Sequence, residues 1–164
     1  MQATKGAGVD ELREHLLWLL RGGHAHIGFE RAFADLPVPL RGRRPANIPH
    51  TPWRLLEHMR IAQWDILEFS RNPNHMSPDF PSGYWPERDA PPDDDSWDLS
   101  ITAFRRDGDE FQALVASPER DLVVPFPWGE GQTLLREALL VAEHNAYHLG
   151  QMMAVRQALG AWSE

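Results

Sequence analysis

Apolar residues recur at three- and four-residue spacing in four segments of the chain, and no segment sustains a two-residue alternation, so the pattern predicts an almost entirely helical protein. The first segment, about Val9 to Arg21, places Leu12, Leu16, Leu19 and Leu20 on one side and stops at Gly22-Gly23. A shorter helical piece around Phe29 to Asp35 follows, and Pro37 and Pro39 end it. The second long segment opens at Thr51-Pro52, a hydroxyl at the cap position and a proline in the first turn. It continues through Leu55, Leu56, Met59, Ala62, Ile66 and Phe69 to Asn72-Pro73. The third starts after Asp93-Asp94-Asp95, whose charges suit a helix N-terminus, and carries Trp97, Ile101, Phe104, Phe111 and Leu114 up to Ser117-Pro118. The fourth starts near Thr133 and holds Leu134, Leu135, Ala138, Val141, Leu149, Met152 and Val155 before Gly160.

The Pro-rich stretch from Asn72 to about Pro92 is long for a loop inside a compact domain, which points to a functional or a topological need for it. A helix of about 20 residues is about 30 Å long, and a linker of similar residue count reaches about 66 Å. The chain can therefore return along the second helix and start the third parallel to it. The expected architecture is an all-α four-helix bundle, up-down-down-up, with this long crossover between the second and third helices.

Composition narrows the picture. A chain of 164 residues, 42% hydrophobic and 24% charged, has the size and balance of one globular domain, so residues 1–164 are read as a single bundle. No stretch approaches the roughly 18 to 20 apolar residues of a membrane span, and Met1 to Gly8 lacks the basic and apolar regions of a signal peptide. A cytoplasmic protein without membrane contact is expected. The net charge of -8 disfavours nucleic acid, whose affinity rests on cationic contacts to phosphate. Arg41, Arg43 and Arg44 sit in a Gly/Pro-containing linker without interleaved aromatics and read as a solvated loop. Cysteine is absent, so any thiol chemistry must take its sulfur from outside the chain.

Eight histidines are present, and they differ in setting. His144 and His148 are one turn apart on the fourth helix, on a face shared with Val141 and Val155, a spacing that lets two imidazoles reach one ion. It is the histidine spacing of HExxH zinc sites, but Asn145 stands where that motif has its glutamate. His58 lies in the apolar series Leu55, Ala62 and Phe69 of the second helix and meets the pair if the two helices are neighbours. Three histidines then leave the remaining positions of a divalent ion for water or substrate. The plainer reading is a set of core histidines satisfied by hydrogen bonds. His15, His24, His26, His50 and His75 fit surface or capping roles, with His50 and His75 placed to border a pocket. Asp65, two turns beyond His58, and Gln151, near His148, are candidates to orient a ligand; a surface charge and a core-edge amide are their ordinary readings. Tyr84, Trp85, Phe126 and Trp128 lie in loops, where aromatics between prolines pin the loop or line a pocket mouth.

The segment Thr51-Pro52-Trp53-Arg54-Leu55-Leu56-Glu57-His58, the following Ala62-Gln63-Trp64-Asp65-Ile66-Leu67 and the distant Glu143-His144-Asn145-Ala146-Tyr147-His148-Leu149-Gly150-Gln151 together resemble the DinB/YfiT-like metalloprotein superfamily. The resemblance runs from about Val9 to Gly160. It implies an up-down-down-up four-helix bundle, frequent homodimers, and a divalent ion such as nickel, zinc or iron held by His58, His144 and His148. Characterised members of that superfamily include transferases and isomerases that use a small thiol such as mycothiol or bacillithiol. The expectation is a metal-dependent enzyme, a thiol-dependent transferase or a hydrolase acting on a small molecule. The alternative is a bundle that binds metal or a small ligand without catalysis.

Overall fold

The computed structural model describes residues 3–162. Six helices follow in order: α1 (Ala3–Arg21), α2 (Phe29–Phe33), α3 (Val38–Arg41), α4 (Pro52–Arg71), α5 (Ser96–Ala116) and α6 (Leu134–Ala158), with a 3-10 turn at Ser82–Tyr84 between α4 and α5. Among the described residues there is no strand, only an isolated antiparallel bridge between Pro125 and Thr133.

The long helices begin where side chains satisfy their first amides. Thr51 Oγ1 accepts from Arg54 N at 3.2 Å, and Thr133 Oγ1 accepts from Arg136 N at 3.1 Å. Asp93 Oδ1 accepts from Ser96 N at 2.8 Å at the start of α5. Each such cap contributes about 1 kcal/mol relative to alanine. The helical piece at Phe29 ends at Phe33, ahead of Pro37 as read in the sequence, but a further short helix, α3, follows, and Pro37 and Pro39 bracket its start. Pro39 falls in the first turn, where its missing N–H has no partner to lose.

Both α4 and α1 pack against α5 and α6. One apolar cluster joins Leu55, Leu56 and Met59 of α4 to Trp97 and Phe104 of α5 and Leu149, Met152 and Val155 of α6, with Ala32 and Phe33 of α2. A second joins Leu16 of α1, Ile66 and Leu67 of α4, Phe111 and Val115 of α5, and Leu134, Ala138 and Val141 of α6. Leu19, expected on the core side of α1, is 40% exposed. Two buried arginines tie the elements together. Arg13 of α1 donates to the Val115 carbonyl, an acceptor left over at the end of α5, and, at 2.9 Å, to the Arg120 carbonyl in the turn that follows. Arg156 of α6 donates to the Ala32 and Ala34 carbonyls at 2.9 and 2.8 Å and to Ala161 at 3.0 Å.

The segment between α4 and α5 is fastened along α4. His75 Nε2 stands 2.7 Å from Asp65 Oδ1, and the Tyr84 hydroxyl donates to Asp65 Oδ2 at 2.6 Å. Arg54 donates to the Pro86 carbonyl at 2.8 Å, and Thr51 Oγ1 donates to the Asp89 carbonyl at 2.6 Å. His75, expected at the surface, has a side chain only 7% exposed because it lies between Asp65 and the edge of Trp64.

A three-histidine cluster between α4 and α6

His144 and His148 project from one face of α6 because they are one turn apart, and His58 projects toward them from the middle of α4. His58 Nε2 is 3.0 Å from His148 Nε2 and 3.0 Å from His144 Nε2. Each residue offers one ring nitrogen, and the three nitrogens lie within 4.8 Å of one another. His58 and His148 are buried and His144 is half-buried.

The outer nitrogens of two rings are fixed. His58 Nδ1 donates to the Tyr84 carbonyl at 2.8 Å, and His148 Nδ1 donates to Gln151 Oε1 at 2.8 Å. Gln151 is oriented in turn by donating from Nε2 to the Tyr147 hydroxyl at 3.1 Å. Because a carbonyl oxygen only accepts, the proton of each neutral ring sits on Nδ1 and the lone pair on Nε2.

Burial is the largest influence on all three rings. It pushes His144 down to about 3, helped by the positive character of its two neighbours, and His148 down to about 4. The His58 ring is also lowered, by burial against the opposing pull of its bond to Tyr84. The rings are thus neutral near neutral pH, the form that coordinates a metal.

Neutrality creates a conflict that the side chains do not resolve. With both Nδ1 protons committed, the Nε2 lone pairs of His58 and His148 face each other at 3.0 Å with no hydrogen between them. A proton on His144 Nε2 satisfies its contact with His58 and leaves the His58–His148 contact unrelieved. A cation between the nitrogens removes the repulsion, so the donor set fits a metal ion.

The loop after the 3-10 turn builds one wall. The Trp85 indole stacks on His58 with centroids 3.8 Å apart and planes 1° from parallel, and His50 stacks on its other face at 4.4 Å. His50 therefore supports the wall from behind and does not join the cluster. Tyr147 meets His148 edge-on at 5.0 Å and is 63% exposed, so it stands on the solvent side. The other histidines lie elsewhere: His15 beside Glu11, His24 stacked on Trp18, and His26 next to the Ile27 carbonyl.

Asp65 touches none of the three rings. Its bonds go to His75 and Tyr84, so it reaches His58 only through Tyr84, whose hydroxyl it holds and whose carbonyl holds Nδ1. Gln151 makes direct contact with His148. The role of Tyr84 has no sequence signal, because its contribution to His58 is a backbone carbonyl. A second polar chain links α6, α4 and α5 beside the cluster: Asn145 Nδ2 donates to Gln63 Oε1 at 3.0 Å, and Gln63 Nε2 donates to the Phe104 carbonyl at 2.6 Å.

Among the described residues no helix is long and apolar enough to cross a membrane. No curated protein and no solved structure matches the chain. The family model of the DinB superfamily matches residues 28–152, a span that holds His58, His144, His148 and Gln151, and the chain belongs to that superfamily.

Proposed function

We propose that the chain holds one divalent ion, nickel, zinc or iron, with the Nε2 atoms of His58, His144 and His148, and uses it as a thiol-dependent transferase or a hydrolase acting on a small molecule. The observation that carries the reading is the opposition of the His58 and His148 lone pairs at 3.0 Å, a contact that a cation converts from repulsive to cohesive. A bound divalent ion would supply Lewis acidity and lower the pKa of a water or an external thiol. The chain's own residues do the rest. Tyr84 and Gln151 hold the rings of His58 and His148 in the coordinating tautomer, with Asp65 acting on the first through Tyr84. Trp85 keeps water from one face of His58. The absence of cysteine agrees with a nucleophilic sulfur that arrives as a cosubstrate.

The same reading takes residues 1–164 as one up-down-down-up bundle. Its support is the order of contacts: α4 meets α5 at Gln63 with Phe104 and at Arg71 with Glu110, both advancing together, whereas α4 meets α6 at His58 with His148 and at Asn145 with Gln63, in opposite order. It also places the protein in the cytoplasm as a homodimer, for which exposed Leu139 and Leu140 of α6, beside Leu19 of α1, offer an apolar face.

The test is the metal content of purified, untagged protein by elemental mass spectrometry, alongside His58→Ala, His144→Ala and His148→Ala. The expected result is about one ion per chain, lost in each variant, after which thiol transfer to model electrophiles and hydrolysis are assayed. A wild type that retains no metal and takes up none on addition contradicts the proposal.

A further inference from the structure

Four carboxylates are buried among the described residues: Glu57, Asp65, Asp107 and Glu137. Glu57 is bound by Arg60 and Asp65 by His75 and Tyr84; Asp107 is bound by Arg106 through Oδ1 alone, and its Oδ2 is buried without a partner but lines no cavity among the described residues. Glu137 makes no hydrogen bond among the described residues, although its side chain is only 6% exposed; its nearest cation is Arg136 Nε at 4.0 Å. The Glu137 oxygens are not among the fully buried atoms, so the carboxylate opens onto solvent and has a free acceptor for a ligand's donor.

Glu137 lines a pocket of about 220 Å³ together with Asp65, Ser77, Gln132, Phe69 and Leu140, and Arg136 lies at its edge as the cation a ligand would have to displace. Its chemistry favours an organic cation over a metal ion. Both Asp65 oxygens are already engaged, which leaves Glu137 as the uncommitted carboxylate, whereas a hard divalent cation takes several oxygen ligands. Phe69 and Leu140 provide apolar walls for methylene groups and an aromatic face for a cation, and Ser77 provides a neutral acceptor, the Gln132 oxygen being taken by the Glu130 amide. Arg136 is 60% exposed, so an incoming cation displaces it into water at little cost. The net charge of -8 adds a general attraction for cations. Burial raises the pKa of the Glu137 carboxyl, Arg136 opposes this, and the Asp65 charge adds to it.

The position of the pocket relative to the histidines is regular. Asp65 follows His58 by two turns of α4 and Glu137 precedes His144 by two turns of α6, about 10 Å of helix axis in each case. We propose that this pocket receives the primary ammonium group of a small-molecule ligand, with Glu137 as its counter-ion, and that the other end of that ligand reaches the three histidines. The second half rests on the metal-dependent reading given above; the ammonium subsite does not.

The subsite is tested by carboxyl-carbon NMR of Glu137 during titration with butylammonium, with butanol at matched ionic strength as the control. A saturable shift, at least about tenfold tighter for butylammonium than for butanol, is expected for a charge-assisted contact. It is expected to persist in His58→Ala and to vanish in the isosteric Glu137→Gln, where the Leu140 methyl signals report binding. No saturable shift, equal affinity for butanol, or unchanged binding in Glu137→Gln overturns the subsite. The reach to the histidines is read in cobalt-loaded protein. There an aminoalkyl thiol with about 10 Å between nitrogen and sulfur is expected to perturb the cobalt spectrum at about tenfold lower concentration than the alkyl thiol of equal length. Equal concentrations overturn the two-ended ligand, and a protein that takes up no cobalt overturns the metal reading while the butylammonium titration still decides the subsite.

Discussion

His58 donates from Nδ1 to the backbone carbonyl of Tyr84 at 2.8 Å, and this single bond makes the loop after α4 responsible for the orientation of an imidazole in the bundle core. The loop is held in place by a second bond of the same residue, from the Tyr84 hydroxyl to Asp65 Oδ2 at 2.6 Å. Burial and the Asp65 carboxylate push the Tyr84 phenol up to about 12, so the hydroxyl keeps its proton and donates throughout the ordinary pH range.

Tyr84→Phe removes the anchoring hydrogen bond without removing the carbonyl. A loss of about 1 to 2 kcal/mol of stability is expected from urea unfolding, since a buried carboxylate oxygen loses its donor. Metal affinity, measured by competition with a chromophoric chelator, is expected to fall about tenfold through looser orientation of His58. Unchanged affinity would show that the carbonyl is positioned without Asp65.

Trp85→Ala exposes one face of His58 and one face of His50. Stacking of this kind contributes about 1 kcal/mol beyond the buried area. The variant is expected to be less stable and to bind metal more weakly. Its His58 ring should also titrate closer to the ordinary value, because burial is what lowers it now. An NMR titration of the metal-free variant reads this directly.

Acid is expected to destabilise the metal-free protein in a defined window. In the unfolded chain the histidines take protons near the ordinary value of about 6.5, whereas in the folded chain His148 does so at about 4 and His144 at about 3. Between these values the unfolded state binds more protons, so stability is full above about pH 6.5 and falls as the pH drops. The contribution of His148 is gone below about 4 and that of His144 below about 3. Urea midpoints from about pH 7 down to about pH 4 test this, and a shallower profile in His144→Gln/His148→Gln, with the remainder left to the also lowered His58 and His50, would assign the difference to these two rings.

Gly108 lies inside α5, where alanine ordinarily gains about 1 kcal/mol in helix propensity. A Cβ there would stand 3.3 Å from Gln63 Nε2, the donor to the Phe104 carbonyl. Gln63 is also held by Asn145 and cannot yield freely. Gly108→Ala is therefore expected to be neutral or destabilising in the wild type and to recover about 1 kcal/mol in a Gln63→Ala background, a coupling that a double-mutant cycle in urea measures.

Local order was legible in the sequence wherever short-range chemistry decides it. Thr51-Pro52 opens α4, Thr133 precedes α6, and Asp93 prepares α5, because a cap and the amide it satisfies are at most three residues apart. The pairing of His144 with His148 was legible for the same reason, since helix pitch alone puts them on one face. What the sequence left open, tertiary structure decided. His58 meets that pair only because α4 and α6 are neighbours. Asp65 turned out to hold the loop and not a ring, and His75 went inside with it. The Tyr84 carbonyl and the buried carboxylate of Glu137, which accepts no hydrogen bond among the described residues, carry no signature in the chain, because every residue has a carbonyl and a glutamate on a helix is ordinarily solvated. Hydrogen bonds within a turn are specified by neighbours in sequence; the tautomer of a core histidine and the solvation of a core acid are specified by whatever the rest of the chain packs against them.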